Sequence, residues 1–198
     1  MRNNKSHPTI GCCGIDCGLC PRYHTEGKSK CPGFYGINFL EVMVHTCSFI
    51  NCCFKNKKIE TCGECNEFPC KKFNSKWFGN NAYDSFVTYK KAMLNLYLIK
   101  NYGFEKFLKQ QIKRMKYLNR MLKEFNDGRS KNLFCLSSAL LSIERLTNAI
   151  KHAREIICVE KTPENDTKTK AKIIKNCFFE EAEKESVELC LNKPPNWK

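Results

Sequence analysis

The chain has 198 residues, 15 of them cysteine, and a formal net charge of +14 at pH 7. It contains no run of about 18 apolar residues, and residues 1–8 lack the apolar segment of a secretory signal, so we expect neither a membrane span nor export. The sequence therefore predicts a cytoplasmic protein. In reducing cytosol, closely spaced thiols bind metal more often than they form disulfides.

The first predicted domain, residues 1–78, is a cysteine-rich module with little apolar periodicity. Its cysteines stand in closely spaced pairs, as in Cys13-Gly-Ile-Asp-Cys17-Gly-Leu-Cys20 and Cys62-Gly-Glu-Cys65. Turns of this length can direct two sulfurs toward one ion. Because a segment this small buries little apolar surface, we expect bound metal to stabilise it.

The second predicted domain, residues 79–198, contains about four amphipathic helices. Helical spacing of apolar residues predicts the first over residues 82–101, with Asn81 or Asp84 as its cap, and the second over residues 104–125. The third runs from Ser130 through Ile157. The fourth begins at Thr162-Pro163-Glu164 and buries a stripe that includes Ala171, Ile174, Cys177 and Phe178. The predicted fold is mainly α: an irregular metal-stabilised N-terminal module followed by an antiparallel bundle of about four helices.

The order of the cysteine blocks resembles a known family. Cys13-Gly14-x-x-Cys17-x-x-Cys20-Pro21 is followed by Cys31-Pro32-Gly33, by Cys47-x4-Cys52 and by Cys62-x-x-Cys65-x-x-Phe68-Pro69-Cys70-Lys71. This succession, over about residues 10–75, resembles the family called domain of unknown function 3795. The resemblance implies a metal-binding domain with no established reaction. This chain has a single cysteine in the second block, where members of the family often have a pair.

Nine cysteines match the family pattern and are the predicted metal ligands, while Cys12 and Cys53 are extra neighbours in the sequence. Two sites of four sulfurs each would use eight of the nine, so the sequence predicts about two zinc ions. An iron–sulfur cluster protein in electron transfer or redox chemistry is the alternative, since such a cluster also takes four cysteines, often with a proline beside one. The nine predicted ligands are Cys13, Cys17, Cys20, Cys31, Cys47, Cys52, Cys62, Cys65 and Cys70.

The remaining candidate residues are predicted to have structural roles and not to bind metal or take part in catalysis. We interpret His24 and His45 as loop or surface residues, because so many thiols compete with them as ligands. Cys135, Cys158, Cys177 and Cys190 lie among apolar neighbours and are predicted to be core residues. No arrangement typical of a nucleophilic active site stands out, so whether the chain is an enzyme stays open. The leading hypothesis is a non-catalytic zinc-binding protein that presents a surface to a protein partner.

The second predicted helix is strongly basic. Residues 100–131 contain ten Lys or Arg against three acids, and most of these charges lie opposite the apolar stripe. A positive face on helix 104–126 could contact phosphates, so a zinc-organised nucleic-acid binder is a further alternative. No aromatic platform accompanies the charge, and a solvated helix face explains the same pattern.

Overall fold

The computed structural model describes residues 9–34, 36, 47–73, 78 and 83–194. In this part of the chain the fold is mainly helical, as predicted, and the N-terminal region is built from short turns. The cysteine-rich region contains single 3-10 turns at Cys17–Leu19, Gly27–Ser29, Cys62–Glu64 and Lys71–Phe73. It also contains one α-helical turn, Ser48–Ile50, which continues as a π-helix over Asn51–Lys57.

Five longer helices follow: α1 (Ala92–Tyr102), α2 (Phe104–Glu124), α3 (Lys131–Leu140), α4 (Ile143–Val159) and α5 (Thr167–Lys184). None of the helices in the described ranges is long and apolar enough to cross a membrane. The chain divides into two compact units. One runs up to Gln111 and resumes at Leu191, and the other is Ile112–Cys190. The predicted boundary between residues 78 and 79 stays a prediction.

The first unit is closed by contacts between distant parts of the chain. Asp84 donates its backbone N–H to the Asn192 carbonyl at 2.7 Å. Its carboxylate accepts hydrogen bonds from the backbone N–H groups of Tyr89, at 2.6 Å, and Asn192, at 2.9 Å. Because Asp84 is only 3% exposed, these bonds are shielded from water. They hold residues near 192 against the segment that precedes α1.

The second unit is a helical bundle with an apolar core. Ion pairing of Arg145 with Glu181 and the hydrogen bond from the Ser142 N–H to the Glu185 carboxylate show that α4 and α5 are antiparallel. The rings of Phe134 and Phe178 pack edge to face, with their centroids 6.1 Å apart. The fully buried side chains of this unit include Leu118, Met121, Phe125, Phe134, Leu140, Leu141, Leu146 and Phe178.

The helix boundaries differ from the sequence-based prediction in three places. The first helix begins at Ala92, not residue 82; residues 79–82 lie outside the described part, and residues 83–91 are not helical. The third predicted helix is two helices, α3 and α4, because Leu141 and Ser142 are extended. The fourth begins at Thr167, where Asp166 accepts a hydrogen bond from the Thr169 N–H. The predicted cap at Thr162 is therefore wrong.

Two side chains explain the break between α3 and α4. The Arg114 guanidinium donates to the carbonyls of Ser138, at 2.7 Å, and Leu141, at 2.6 Å, so it satisfies carbonyl groups at the C-terminal end of α3. The Ser142 hydroxyl then accepts from the Arg145 N–H and caps α4. Because the carbonyl groups at the end of α3 and an N–H group at the start of α4 both have hydrogen-bond partners, the break between the helices is stable.

Candidate metal centre

The two Cys-Gly-x-Cys segments adopt the same local structure. Each is a 3-10 turn in which the second cysteine N–H donates to the carbonyl of the first, at 3.1 Å for both Cys20 to Cys17 and Cys65 to Cys62. In the second turn, Thr61 and Glu64 form a reciprocal capping box. The Glu64 carboxylate accepts the Thr61 N–H at 2.7 Å, so this carboxylate has a structural partner.

Three thiols from separate segments meet in what we call the inner thiol cluster, Cys12, Cys53 and Cys62. The Sγ atoms of Cys53 and Cys62 are 3.2 Å apart. The Cys12 thiol contacts both of the others. The Cys62 N–H donates to the Cys12 carbonyl at 2.8 Å, which fixes these two segments against each other. All three residues are buried, at 0%, 1% and 7% exposure respectively.

The surroundings of the inner thiol cluster disfavour thiolates in the absence of a cation. Hydrogen bonds to Cys53 and Cys62, followed by burial, raise the pKa of Cys12 far above its ordinary value. At Cys62 the contact with Cys12 lowers the pKa, but the contact with Cys53 and burial outweigh it and leave the pKa raised. A bound cation would reverse this preference, because metal-ligating thiols are deprotonated.

A second set of sulfurs, which we call the outer thiol group, comprises Cys13, Cys17, Cys20 and Cys31. Burial raises the pKa of Cys17 most, and the charges of the other three sulfurs and of Asp16 raise it further. Burial also raises the pKa of Cys20, and Cys31 contributes to that shift. Burial raises the pKa of Cys13 to about 12, with further contributions from the charges of Cys47 and Cys53, so Cys13 lies between the outer group and the inner cluster. The electrostatic neighbours of Cys17 thus include the three cysteines needed to complete a set of four.

Backbone contacts hold the outer thiol group in place. The Cys31 N–H donates to the Arg22 carbonyl at 2.9 Å, and the Tyr23 N–H donates to the Cys20 carbonyl at 3.0 Å. The His24 Nε2 lies 2.7 Å from the Gly18 carbonyl, inside the first Cys-Gly-x-Cys turn. His24 therefore supports the turn, in agreement with its predicted loop role, while His45 lies outside the described residues.

The Cys62–Glu64 turn and the segment just after Cys13 both rest directly on α1. A Cβ atom added to Gly14 would lie 2.2 Å from the Ala92 carbonyl oxygen, and one added to Gly63 would lie 2.8 Å from the Leu96 carbonyl oxygen. The Asn95 side chain donates to the Gly14 carbonyl at 2.9 Å. Glycine is needed at both contacts because no other residue fits so close to the helix backbone. Helix α1 therefore serves as the platform on which the sulfurs are positioned.

Aromatic rings pack around the sulfurs. Phe49 and Phe73 are 4.8 Å apart between centroids, and Phe68 and Phe73 are 5.1 Å apart. These rings belong to the same apolar cluster as Cys12, Cys53 and Cys62. An apolar shell of this kind limits solvent access to a metal site and lowers its local dielectric constant.

The predicted ligands fall into three groups. Cys62 belongs to the inner cluster, and Cys13, Cys17, Cys20 and Cys31 form the outer group. Cys47, Cys65 and Cys70 are half-buried at the edge of the apolar cluster, and Cys52 is half-buried on the π-helix. The complete set of nine ligands stays a prediction.

Sequence reasoning set aside two cysteines that the fold brings into the inner cluster, Cys12 and Cys53. Each is one member of an adjacent Cys-Cys pair, and each is more buried than its neighbour, Cys13 or Cys52. Spacing along the chain could not distinguish the members of a pair. The other four cysteines divide evenly: Cys135 and Cys177 are buried as predicted, whereas Cys158 and Cys190 are exposed.

The basic face of α2 is smaller than the sequence suggests. Arg114 is occupied at the end of α3, and Arg120 pairs with Glu124 at 3.0 Å. Ile112, predicted to lie in the apolar stripe, is 45% exposed, whereas Gln111 and Met121 are buried. The exposed lysines of the helix are Lys106, Lys109, Lys113, Lys116 and Lys123.

Comparison with known proteins gave no match: no family model, no curated protein and no solved structure corresponds to this chain. The chain is cysteine-rich and its sulfur arrangement is compatible with metal binding.

Proposed function

We propose that this protein is a zinc-binding protein whose N-terminal cysteines hold about two ions, and that the metal organises a surface for a protein partner without catalysing a reaction. The observation that carries the proposal is the meeting of three sulfurs from residues 12, 53 and 62 in a buried cluster. Neutral thiols bury as readily as small apolar groups, so the support for metal comes from the convergence of three sulfurs from distant segments and not from their burial. The resemblance to domain of unknown function 3795 supports the same proposal.

The ligands divide into two sets of four under this proposal. Cys13, Cys17, Cys20 and Cys31 bind one ion. Cys12, Cys53 and Cys62 bind the other, and Cys65 completes that set because it stands at the other end of the turn that carries Cys62. Four thiolates in a closed tetrahedral set are typical of structural zinc.

Zinc is favoured over a four-iron cluster by the sulfur separation. Two thiolates on one tetrahedral zinc lie about 3.8 Å apart, given a Zn–S bond of about 2.3 Å. The Cys53 and Cys62 sulfurs are 3.2 Å apart, so they would separate by only about 0.6 Å to bind one zinc. In a four-iron cluster each cysteine binds a different iron, which sets the sulfurs farther apart. The chemistry that zinc would supply here is structural, because all four positions are thiolates.

A non-catalytic role is supported by the carboxylates beside the last cysteine block. Glu64 is held in the capping box, and Glu67 forms an ion pair with Lys57. Helix α1, against which the Cys62–Glu64 turn packs, has exposed apolar side chains that support a protein partner: Leu94, Tyr97 and Tyr102. A nucleic-acid partner would use the exposed lysines of α2, and a gel shift that weakens steeply with salt would favour it over the protein partner.

Metal analysis of protein purified without oxygen tests the proposal. We expect the N-terminal cysteines to account for about two zinc ions per chain, and no visible absorption. If the protein instead contains iron with equimolar sulfide and has a brown colour that reductant bleaches, the bound metal is an iron–sulfur cluster and not zinc. Protein that carries no metal and cannot take up zinc would overturn the proposal.

The neighbours Cys52 and Cys53 provide a matched pair of variants. The sequence pattern identifies Cys52 as a ligand, whereas the structure brings Cys53 to Cys62. We expect Cys53→Ser to lose one zinc per chain and Cys52→Ser to keep the full complement. The reverse result would favour the sequence-based ligand set. Cys158→Ser, at an exposed thiol on α4, controls for the loss of a cysteine in general.

A further inference from the structure

Three potential metal ligands of different chemistry meet on the helical unit. His152 lies on α4, and Cys177 and Glu180 lie one turn apart on α5. Their ligand atoms all lie within 4.8 Å of one another. The distance from His152 Nδ1 to Glu180 Oε2 is 3.7 Å. We propose that these residues form a binding site for a zinc-class divalent ion, separate from the N-terminal cysteines.

The donor set suits that class of ion. Imidazole nitrogen, thiolate sulfur and carboxylate oxygen are the three ligand types that zinc uses in proteins. A hard ion such as Mg²⁺ or Ca²⁺ would instead need a set of oxygen ligands. Three protein ligands leave a fourth tetrahedral position for water or an exogenous group. The site therefore differs in kind from the closed four-thiolate sets proposed for the N-terminal region.

The fold positions the three residues at different depths. Cys177 is 1% exposed, between the buried residues Ile174 and Phe178 of α5. The side chains of His152 and Glu180 are 53% and 54% exposed. An ion would thus rest on a buried sulfur and be reached from solvent between the two outer groups. Because Cys177 and Glu180 are spaced i, i+3, they share one face of α5 without any distortion of the helix.

The antiparallel pair α4 and α5 holds this geometry from both sides. Arg145 of α4 pairs with Glu181 of α5, with a distance of 3.2 Å between Nη1 and Oε2. Ala149 and Ala153 on α4 and Ala182 on α5 are buried. Sites built from facing helices of a bundle depend on this kind of fixed backbone.

The simpler interpretation is an exposed His–Glu ion pair beside an unrelated core thiol. Such a pair contributes little to stability when both partners are half exposed. The two interpretations predict different effects on bound metal when either His152 or Glu180 is replaced. Because His152 and Glu180 are exposed, His152→Gln and Glu180→Gln should fold like the unmodified protein.

The test is zinc stoichiometry of the full chain, with Cys177→Ala as a third variant and Glu183→Gln as the control. Glu183 is also exposed on α5. We expect each of the three ligand variants to bind one zinc fewer than the unmodified protein and the control, or to bind that zinc at least about tenfold more weakly. Anomalous scattering at the zinc edge should place this ion between α4 and α5.

Equal zinc content and equal zinc affinity in all four variants and in the unmodified protein would overturn the inference. So would an anomalous map with no ion at α4 and α5. Cobalt substitution gives a second readout, since a thiolate-to-cobalt absorption band should lose one contribution in Cys177→Ala but not in Cys158→Ser. Failure of the N-terminal proposal would appear separately, as full zinc content in Cys53→Ser.

Discussion

The region of residues 9–73 and the unit Ile112–Cys190 reach a folded state by different means. In the helical unit the backbone hydrogen bonds lie within regular helices, and large apolar side chains such as Phe125, Phe134 and Phe178 fill the interior. In the described part of the cysteine-rich region the backbone forms short turns and one π-helix, and thiols occupy central positions among the aromatic rings.

The two interiors differ in whether a bound ligand can add to their stability. An interior of aliphatic and aromatic groups excludes water without any ligand. An interior that contains several thiols of raised pKa is stable as a protonated cluster or as a metal complex, and only the second gains the free energy of metal binding. The two regions should therefore respond differently to the same treatment.

Metal removal should produce the largest contrast. We expect chelation under reducing conditions to expose the amides of the N-terminal turns, such as the Cys62 N–H that donates to the Cys12 carbonyl, to rapid hydrogen exchange. Structural zinc contributes about 10–16 kcal/mol of apparent binding free energy, which a small region cannot replace. The amides of α4 and α5 should stay protected, because apolar packing holds them.

Hydrogen exchange followed by mass spectrometry measures both regions in one sample. Restoring zinc after chelation is the control, and it should restore N-terminal protection. N-terminal amides that stay protected in metal-free protein would show that the thiol cluster is stable by itself, and the contrast between the regions would be lost.

The adjacent residues Phe178 and Phe179 test the helical unit. Phe178 is 0% exposed and Phe179 is 52% exposed. We expect Phe178→Ala to destabilise this unit by about 3–5 kcal/mol, because it leaves a cavity in the core. Phe179→Ala should change stability by less than about 0.5 kcal/mol. Urea unfolding followed by circular dichroism gives both values, and comparable losses would contradict the assigned core.

Gly14 and Gly27 test the contact between a cysteine turn and α1. Both have positive φ angles, +85° and +77°, but a Cβ atom would strike the α1 backbone at Gly14 and meet nothing within 4 Å at Gly27. Alanine at either position costs about 1–2 kcal/mol for the left-handed conformation. Gly14→Ala should cost about 1–3 kcal/mol more, from the steric overlap.

The quantity of interest is the difference in unfolding free energy between Gly14→Ala and Gly27→Ala, measured by urea unfolding of zinc-loaded protein. It isolates the helix contact from backbone strain. Equal losses in the two variants would mean that the turn is not held closely against α1.

The smallest effect should come from the cap of α5. The Thr169 backbone N–H, followed by the Thr169 hydroxyl, lowers the pKa of the Asp166 carboxyl. A lowered pKa in the folded state stabilises the protein above the unfolded pKa, and this stabilisation is lost as pH falls through the folded pKa. Asp166→Ala should therefore lower the melting temperature slightly at pH 7 and less in acid, while Thr162→Ala should have no such effect.

How much could be predicted from the sequence depended on whether a signal was local. The apolar stripe of α5 was predicted correctly, because Ala171, Ile174, Cys177 and Phe178 follow one helix face and are all buried. The end of α2 was also predicted to within one residue, at 125 against Glu124 in the structure. These features depend on neighbours within a few residues.

Features that depend on distant contacts could not be predicted. The break at Ser142 relies on Arg114, which lies on another helix, so apolar periodicity alone ran through it. One failure was local: Thr162-Pro163 resembled a helix start, but Asp166, four residues later, is the residue whose side chain accepts the Thr169 N–H. Cys53 was set aside because its partner sulfur, at Cys62, is brought near only by the fold.

The bonds of Asp84 bear on how the protein is made. They join positions 108 residues apart in sequence, and the whole helical unit lies between them. During synthesis at the ribosome, the helical unit emerges before the residues near 192 that complete the first unit. The Asp84 bonds, and the closure of the first unit that they provide, can therefore form only after the helical unit has been translated.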